Sequence, residues 1–460
     1  MELANKHVLV LGLGETGLSL VRWLSAQGAR VRIADSRNFP PGLESLRAQF
    51  PLADVRCGFF RSELLDDVDL VAISPGVPVA EPLVQRAMER KIPVVGDIEL
   101  FARTLPREGA PKIIAITGSN GKTTVTSMVG AMCRAAWLDT EVAGNISPAV
   151  LDVLLDRAGK QPEVWVLELS SFQLETTWSL SADAATVLNI SEDHLDRYAD
   201  MYGYIAAKSR IFRSEGQHGV QVLNRDDAES SRMALLGRNC VTFGLSAPPT
   251  GKDWGITHAD GDVWLVQGML RVMKASELQL NGQHNIANAL AALALCRAIG
   301  LPLEPLVQAL REFKGLPHRV EKVAEIGGVS WYDDSKGTNV GATAAALSGM
   351  GQPTVLILGG DGKGQDFSPL NQPVAQYARA VVLIGRDAPL IEQALQGCNK
   401  PLYHASDMAE AVQLSASLAQ AGDAVLMSPA CASFDMFRNY VHRAQVFIAA
   451  VQALPQQEPA

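Results

Sequence analysis

Residues Thr117-Gly118-Ser119-Asn120-Gly121-Lys122-Thr123-Thr124 follow an apolar run, Lys112–Ile116, and precede a helical pattern. Glycines let backbone N–H groups turn inward onto phosphate oxygens, the lysine reaches outer phosphates, and a threonine hydroxyl can ligate Mg²⁺. Only Ser119 and Asn120 separate the glycines, so this is a shortened phosphate loop that fails the strict Walker pattern. A second turn, Gly12-Leu13-Gly14-Glu15-Thr16-Gly17, meets every letter of the dinucleotide fingerprint, and Asp35 ends the next strand. Alone, it reads as a nicotinamide dehydrogenase. Physically it offers any nucleoside diphosphate a helix N-terminus and a ribose-gripping carboxylate. Hydride transfer gives no reason for an ATP-type loop in the same chain.

Two acidic elements follow the phosphate loop. Glu168 ends the strand-like run Val164–Leu169, where parallel strands present ligand sites, so it reads either as a Mg²⁺ ligand or as a helix-capping or surface charge. His194 stands among carboxylates in Ser191-Glu192-Asp193-His194-Leu195-Asp196, after the run Ala185–Ile190, and is either a ligand or a structural histidine. Lys208 by itself is one more lysine on an amphipathic helix. Asn285 and Asn288, three apart, share a helix face, with helix capping as the alternative for Asn285.

The elements that must position these groups form three α/β blocks. Short apolar runs at His7–Leu11, Val31–Ala34, Leu70–Ile73 and Val94–Val95 alternate with helical stretches such as Leu18–Ala26, the pattern of a doubly wound parallel sheet. A polar stretch, residues 103–111, reads as a linker. The second block runs through Lys112–Thr117, Val164–Leu169, Ala185–Ile190 and Val220–Asn224, then shorter strands over 240–282 and an alanine-rich helix from Asn285 to Ile299. The third has strands at Ser330–Tyr332, Thr354–Leu358, Ala380–Ile384 and Ala424–Met427, and the tail from Leu454 is expected to fray. Domain bounds of 1–98, 99–314 and 315–460 follow.

Composition agrees with an ordinary globular chain of 460 residues, 47% hydrophobic and 19% charged. Forty basic against 49 acidic residues, net −9, argue against a general nucleic-acid binder. Six scattered cysteines without a C-x-x-C pair read as reduced thiols, and no apolar run is long enough for a membrane span. The chain is expected to be cytoplasmic.

The segments TGSNGKTT (117–124), LELSSFQLE (167–175), EDHLDRY (192–198), GQHNIAN (282–288), GLPHR (315–319), DDSKGT (333–338) and SPACASF (428–434) together resemble the Mur ligases, ATP-dependent amide-forming enzymes of peptidoglycan synthesis. The resemblance runs from about residue 8 to 447; each motif is weak alone, whereas their joint order and spacing are specific. It implies a Rossmann-like N-terminal domain, a central ATP-binding parallel-sheet domain with a phosphate loop, and a C-terminal Rossmann-like domain. The first domain, the GSNGKT loop and SPACASFDMF are similar to the member that adds D-glutamate to UDP-N-acetylmuramoyl-L-alanine. The Asn-Pro-Arg motif expected of the diamino-acid-adding sibling is absent. A folylpolyglutamate-synthase-like ligase would lack the first domain, and a non-catalytic nucleotide sensor would lack Lys122, Glu168 or Lys208.

Carried over by residue, the resemblance implies ATP binding by Gly118, Ser119, Asn120, Gly121, Lys122, Thr123 and Thr124, with Asn285, Asn288, Arg319 and Asp334. Two Mg²⁺ ions would be held by Thr123, Glu168, His194 and Lys208, the last at the position this family carbamylates. Thr16, Asp35, Ser36, Arg37, Ser74 and Gly76 match the uridine-diphosphate site, and Asn145 lies nearer the reacting end. Lys336, Thr338, Lys363, Ser433 and Phe437 match the D-glutamate region. The implied catalytic set is Lys122, Glu168, His194 and Lys208, in a monomer whose domains close to exclude water.

Overall fold

A computed structural model describes residues 2–106, 108–195, 197–213 and 219–455. Asp196 of the 192–198 segment, Arg107 of the expected linker and the last five residues of the tail lie outside these.

The first sheet contains β1 (His7–Leu11), β2 (Arg30–Asp35), β3 (Asp54–Cys57), β4 (Leu70–Ile73) and β5 (Val94–Val95), all parallel in the order β3-β2-β1-β4-β5. The order reverses at β1, and ligands of such sheets bind where it does, outside the carboxyl ends of the strands. The glycine-rich turn sits there. Its last glycine has no alternative: a Cβ on Gly17 would lie 1.9 Å from the Gly12 carbonyl oxygen.

The second sheet is also wholly parallel: β6 (Lys112–Thr117), β7 (Thr140–Gly144), β8 (Val164–Glu168), β9 (Ala184–Val187), β10 (Val220–Asn224) and β11 (Asn239–Phe243), ordered β11-β10-β9-β6-β8-β7. Its central strands are largely apolar because helices cover both faces. Ile116 of β6 and Gly144 of β7 both pair with Glu168, so that carboxylate stands at the strand ends beside the phosphate loop. A three-stranded antiparallel sheet, β12 (Trp254–Ala259), β13 (Asp262–Gln267) and β14 (Leu270–Lys274), accounts for the short strands expected after 240. Trp254, Leu265 and Met273 anchor it in the core that holds the buried face of the helix Gln283–Ala298.

The third sheet combines β15 (Glu321–Ile326), β16 (Val329–Asp333), β17 (Thr354–Gly359), β18 (Ala378–Ile384), β19 (Leu402–His404) and β20 (Ala424–Met427). The order is β15-β16-β20-β17-β18-β19, with only β15 antiparallel to its neighbour. Asp333 and Ile357 both pair with Met427, which brings the loops after β16, β17 and β20 to one edge.

Several bounds differ from the sequence reading. The first helix starts at Glu15, inside the fingerprint itself, and β9 stops at Val187, leaving Asn189–Ser191 as loop. The helix Asp97–Thr104 takes in the first residues of the expected linker and lays Phe101 edge-on against Trp165 of β8 at 4.9 Å, so one apolar cluster runs through the first two sheets.

Candidate active site

Gly121 precedes the helix Lys122–Ala135 with φ 82°, in the left-handed region that glycine tolerates. A Cβ there would also lie 2.6 Å from Asn288 Oδ1. Lys122 folds over the loop, its Nζ donating to the carbonyls of Gly118 and Ser119 at 2.7 and 2.8 Å. Burial pulls its pKa down, opposed by the charges of Glu168 and Asp193. The loop is tied to β9's continuation: Ser119 Oγ donates to the Ser191 carbonyl and shares a 2.9 Å hydrogen bond with Tyr204, and Asn120 N–H donates to Asn189 Oδ1 at 2.8 Å. Ser119 is thus a strut of the loop.

Glu168 is buried. Its Oε1 accepts from Asn145 Nδ2 at 2.8 Å, while Oε2 has no hydrogen-bond partner among the described residues. The helix-capping alternative does not hold, because Ser170 and Gln173 form that capping box themselves. An unpaired buried carboxylate oxygen is costly unless a cation reaches it, and with the Thr123 hydroxyl nearby in the same cleft the oxygen donors suit Mg²⁺.

His194 adopts φ 57° and packs edge-on against Phe172 at 4.7 Å. Burial lowers its pKa to about 4, Asp193 opposing, so the imidazole is neutral near pH 7 and free to ligate. Asp193 is engaged from the third domain: Lys363 Nζ donates to Oδ1 at 2.7 Å and Asn339 Nδ2 to Oδ2 at 3.3 Å. Burial pushes the Asp193 carboxyl up, but Lys363 and His194 more than offset it and hold it below the usual range. Lys208 lies behind the loop, 2% exposed, donating to the Gly118 carbonyl at 2.9 Å and sitting 4.7 Å from the Tyr204 ring centre. Burial first, then the Lys122 charge, drives its pKa well below that of an ordinary lysine.

A cleft of about 540 Å³ brings together Ser119, Asn120, Gly121, Lys122, Thr123, Thr124, Asn145, Glu168, His194, Asn285, Asn288, Arg319, Asp334, Lys336 and Thr338. Polar contacts from the third domain close it: Arg319 Nη2 to Thr123 Oγ1 at 2.7 Å, Asn339 Nδ2 to Asn120 Oδ1 at 2.9 Å and to Asp193 Oδ2 at 3.3 Å, and the Lys363–Asp193 ion pair. Asn285 does not cap its helix; it donates to the Asn281 carbonyl and accepts from Asn288 at 3.2 Å. Asp334 is buried, which raises its pKa to about 7 although Ser428 donates to it at 2.6 Å. Lys336 Nζ lies 3.1 Å from the Tyr440 hydroxyl. Ser433 and Phe437 do not line this cleft; Phe437 N–H donates to the Ser433 carbonyl and its ring meets His442.

The first-domain residues form a separate group. Asp35, 2% exposed, takes N–H donors from Leu13 and Arg37 and a two-point contact from the Arg37 guanidinium at 2.9 and 2.7 Å. Burial would raise its pKa, but Arg37 and the two amides hold it low. Asp35 therefore fixes the turns after β1 and β2 and aims Arg37, with its own oxygens occupied. Ser74 is buried under Gly12, and Gly76 is open. Ser147 Oγ donates to Glu15 Oε1 at 2.6 Å, linking the fingerprint helix to the loop that carries Asn145.

Asn189, Asp193, Tyr204, Asn339, Tyr440 and Arg443 had no role in the sequence reading. Arg443, 1% exposed, donates to Ser335 Oγ, Ser335 O and Cys431 O, holding two loops of the third domain together. Asp193 and Asn339 directly adjoin His194 and Thr338, a hint available in the sequence; the others are visible only through contacts.

Models of the Mur ligase MurD-like N-terminal domain, the Mur ligase middle domain and the Mur ligase glutamate ligase domain match residues 6–96, 116–296 and 318–431. The chain belongs to the Mur ligase family. It is 60% identical to the UDP-N-acetylmuramoylalanine--D-glutamate ligase of Nitrosospira multiformis, across 99% of this chain and 97% of that one. The ligase of the same name from Nitrosomonas eutropha is 58% identical at the same coverage. Among solved structures, UDP-N-acetylmuramate-alanine ligase MurC from Thermotoga maritima aligns with TM-score 0.61 at 21% identity, covering 97% of this chain and 99% of that one. MurF from Acinetobacter baumannii aligns at 0.59 and 19%, covering 98% and 92%. These two share the three-domain architecture.

Proposed function

We propose that this chain is the ATP-dependent ligase that joins D-glutamate to UDP-N-acetylmuramoyl-L-alanine in peptidoglycan precursor synthesis. The specificity rests on relatives of that name at up to 60% identity over nearly the whole chain. The chemistry rests on one observation: a cationic phosphate loop, a buried carboxylate oxygen without a partner and a neutral imidazole meet cations from the third domain in one cleft.

A carboxylate does not acylate an amine at neutral pH, because its oxygen is too poor a leaving group. The substrate's terminal carboxylate attacks the γ-phosphorus of ATP; an acyl O–P bond forms as the bond to ADP breaks. The amine of D-glutamate then adds to the acyl carbonyl, loses a proton, and the tetrahedral adduct expels phosphate. Lys122 and Arg319 meet the phosphate charges from two domains, so the site is complete only when they are together. Thr123, Glu168, His194 and a modified Lys208 would hold Mg²⁺, which would supply positive charge between the two anions.

Asn285, Asn288 and Asp334 hold the nucleoside, and Lys336, Thr338, Lys363, Ser433 and Phe437 the amino acid. In the first domain Thr16, Ser36, Arg37, Ser74 and Gly76 take the uridine diphosphate. Burial, then the Lys122 charge, lowers the Lys208 pKa and so favours the neutral amine that carbamylation needs. The amine adds to CO₂, a proton leaves, and a carboxylate results. We take the enzyme as a monomer, and ATP dependence suits the expected cytoplasmic location.

Phosphate release from ATP with UDP-N-acetylmuramoyl-L-alanine tests this, scanning amino acids with and without added bicarbonate. Release specific to D-glutamate and raised by bicarbonate is expected. Release with another amino acid would overturn the specificity, and none with any would overturn the enzyme.

A further inference from the structure

Arg197 belongs to the 192–198 segment and has no role in the chemistry above. Its guanidinium is nearly buried, with a side chain 10% exposed. Nη1 donates to the Pro75 carbonyl at 3.1 Å, and Nη2 to the Val77 carbonyl at 3.2 Å and to Glu175 Oε2 at 3.1 Å. The guanidinium lies over the Phe172 ring, 4.3 Å from its centre, and that ring meets His194 edge-on at 4.7 Å. The Arg197 N–H donates to the His194 carbonyl at 2.9 Å. One residue therefore grips the 74–77 turn of the first domain with its side chain and His194 through its backbone and Phe172.

We propose that Arg197 is a positioning residue that fixes the nucleotide-binding turn of the first domain relative to His194. The inference rests on the functional reading above. The nucleotide-sugar is long: its diphosphate is held at the first sheet while its carboxylate reacts in the central cleft. A small rotation between those sheets displaces the reacting carboxylate, and misplacement by an ångström is costly for reactions that depend on alignment. Two carbonyls of one turn, held by one planar fork, set the orientation of that turn as well as its distance. Lysine, a single point charge, cannot reach Pro75, Val77 and Glu175 together. Another side-chain contact to this domain, Arg22–Asp152 at 3.0 Å, is more exposed at 33% and 21% and touches neither the turn nor His194.

The test compares wild type with Arg197→Ala, Arg197→Lys and Arg22→Ala by steady-state phosphate release. Calorimetric titration with UDP-N-acetylmuramoyl-L-alanine, without ATP or metal, runs in parallel. Arg197→Ala is expected to lower kcat/KM for the nucleotide-sugar by about 100-fold and weaken its binding, leaving KM for ATP and D-glutamate unchanged. Arg197→Lys should recover little of this, and Arg22→Ala should match wild type. Equal losses in Arg197→Ala and Arg22→Ala would overturn the proposal, since the arginine would then only anchor a domain. Full recovery in Arg197→Lys would also overturn it. If Arg197→Ala fails to fold, Arg197→Lys against Arg22→Ala decides the matter by the same criteria. Wild-type protein that does not bind the nucleotide-sugar would instead overturn the functional reading.

Discussion

At the scale of single residues, the site depends on a few buried charges that are incompletely matched within the protein. Lys122 is surrounded by carbonyl acceptors and by Glu168 and Asp193, with Arg319 and Lys336 opposing its charge. It is the cation closest in sequence to the loop glycines that bind phosphate. Lys122→Ala should therefore lower kcat by about 10²- to 10³-fold, the range for losing one preorganised charge at a reacting oxyanion. Its fold should survive, because Nζ contacts only the carbonyls of its own loop. Circular dichroism and phosphate-release rates check both halves; an active Lys122→Ala protein would remove the loop from the mechanism.

Elements carry two further expectations. The phosphate loop reaches its helix through Gly121 in a left-handed conformation, against Asn288. Gly121→Ala should cost about 1–2 kcal/mol in denaturant unfolding, from the backbone alone, and should weaken ATP binding by displacing Asn288. The helix Asp97–Thr104, which joins the first two sheets, begins with a carboxyl that is 1% exposed and accepts from Gln173 at 3.0 Å. Burial raises the Asp97 pKa to about 6, with the Gln173 hydrogen bond opposing. An acid whose folded pKa exceeds its unfolded value makes the fold lose stability as pH rises from about 4 through 6, with no further loss above that. Asp97→Asn keeps an acceptor for Gln173 and removes the buried charge. It should stabilise the protein by up to about 3 kcal/mol at pH 8, with the gain vanishing near pH 4. Urea melts at both pH values measure this, and a pH-independent difference would show that the charge is not the cause.

For the whole molecule, the third domain is held to the second by Arg319–Thr123, by Asn339 with Asn120 and Asp193, and by Lys363–Asp193. The last is the only ion pair of the three, with side chains 18% and 10% exposed. Removing one partner of such a pair leaves an uncompensated buried charge, worth about 3–5 kcal/mol. That charge returns to water most easily if the domains part. Lys363→Met should thus shift the X-ray scattering profile toward a larger radius of gyration and raise KM for D-glutamate. Superimposable profiles would mean that the remaining contacts suffice to hold the cleft shut.

Sequence alone determined the central strands, the two glycine-rich turns and the order of the motifs. Strands covered on both faces must be apolar, and phosphate turns need glycine at fixed spacing, so both leave local signatures. Four strands escaped notice: Asp54–Cys57, Thr140–Gly144, Glu321–Ile326 and Leu402–His404. Each sits at a sheet edge with half or more of its residues at least partly exposed, where pairing with one neighbour replaces a continuous apolar run. At the site, Lys122, Glu168 and His194 were legible because each stands at the carboxyl end of a strand or in the segment leading away from it. Only the tertiary structure decided that Asp193 meets Lys363, that Asp35 serves Arg37, and that Arg197 grips the 74–77 turn, because these contacts join residues whose partners lie 120 or more positions away or whose meaning depends on a buried neighbour. Local patterns record what a residue does to its own segment; charge pairing across a cleft is set by how the sheets are packed together.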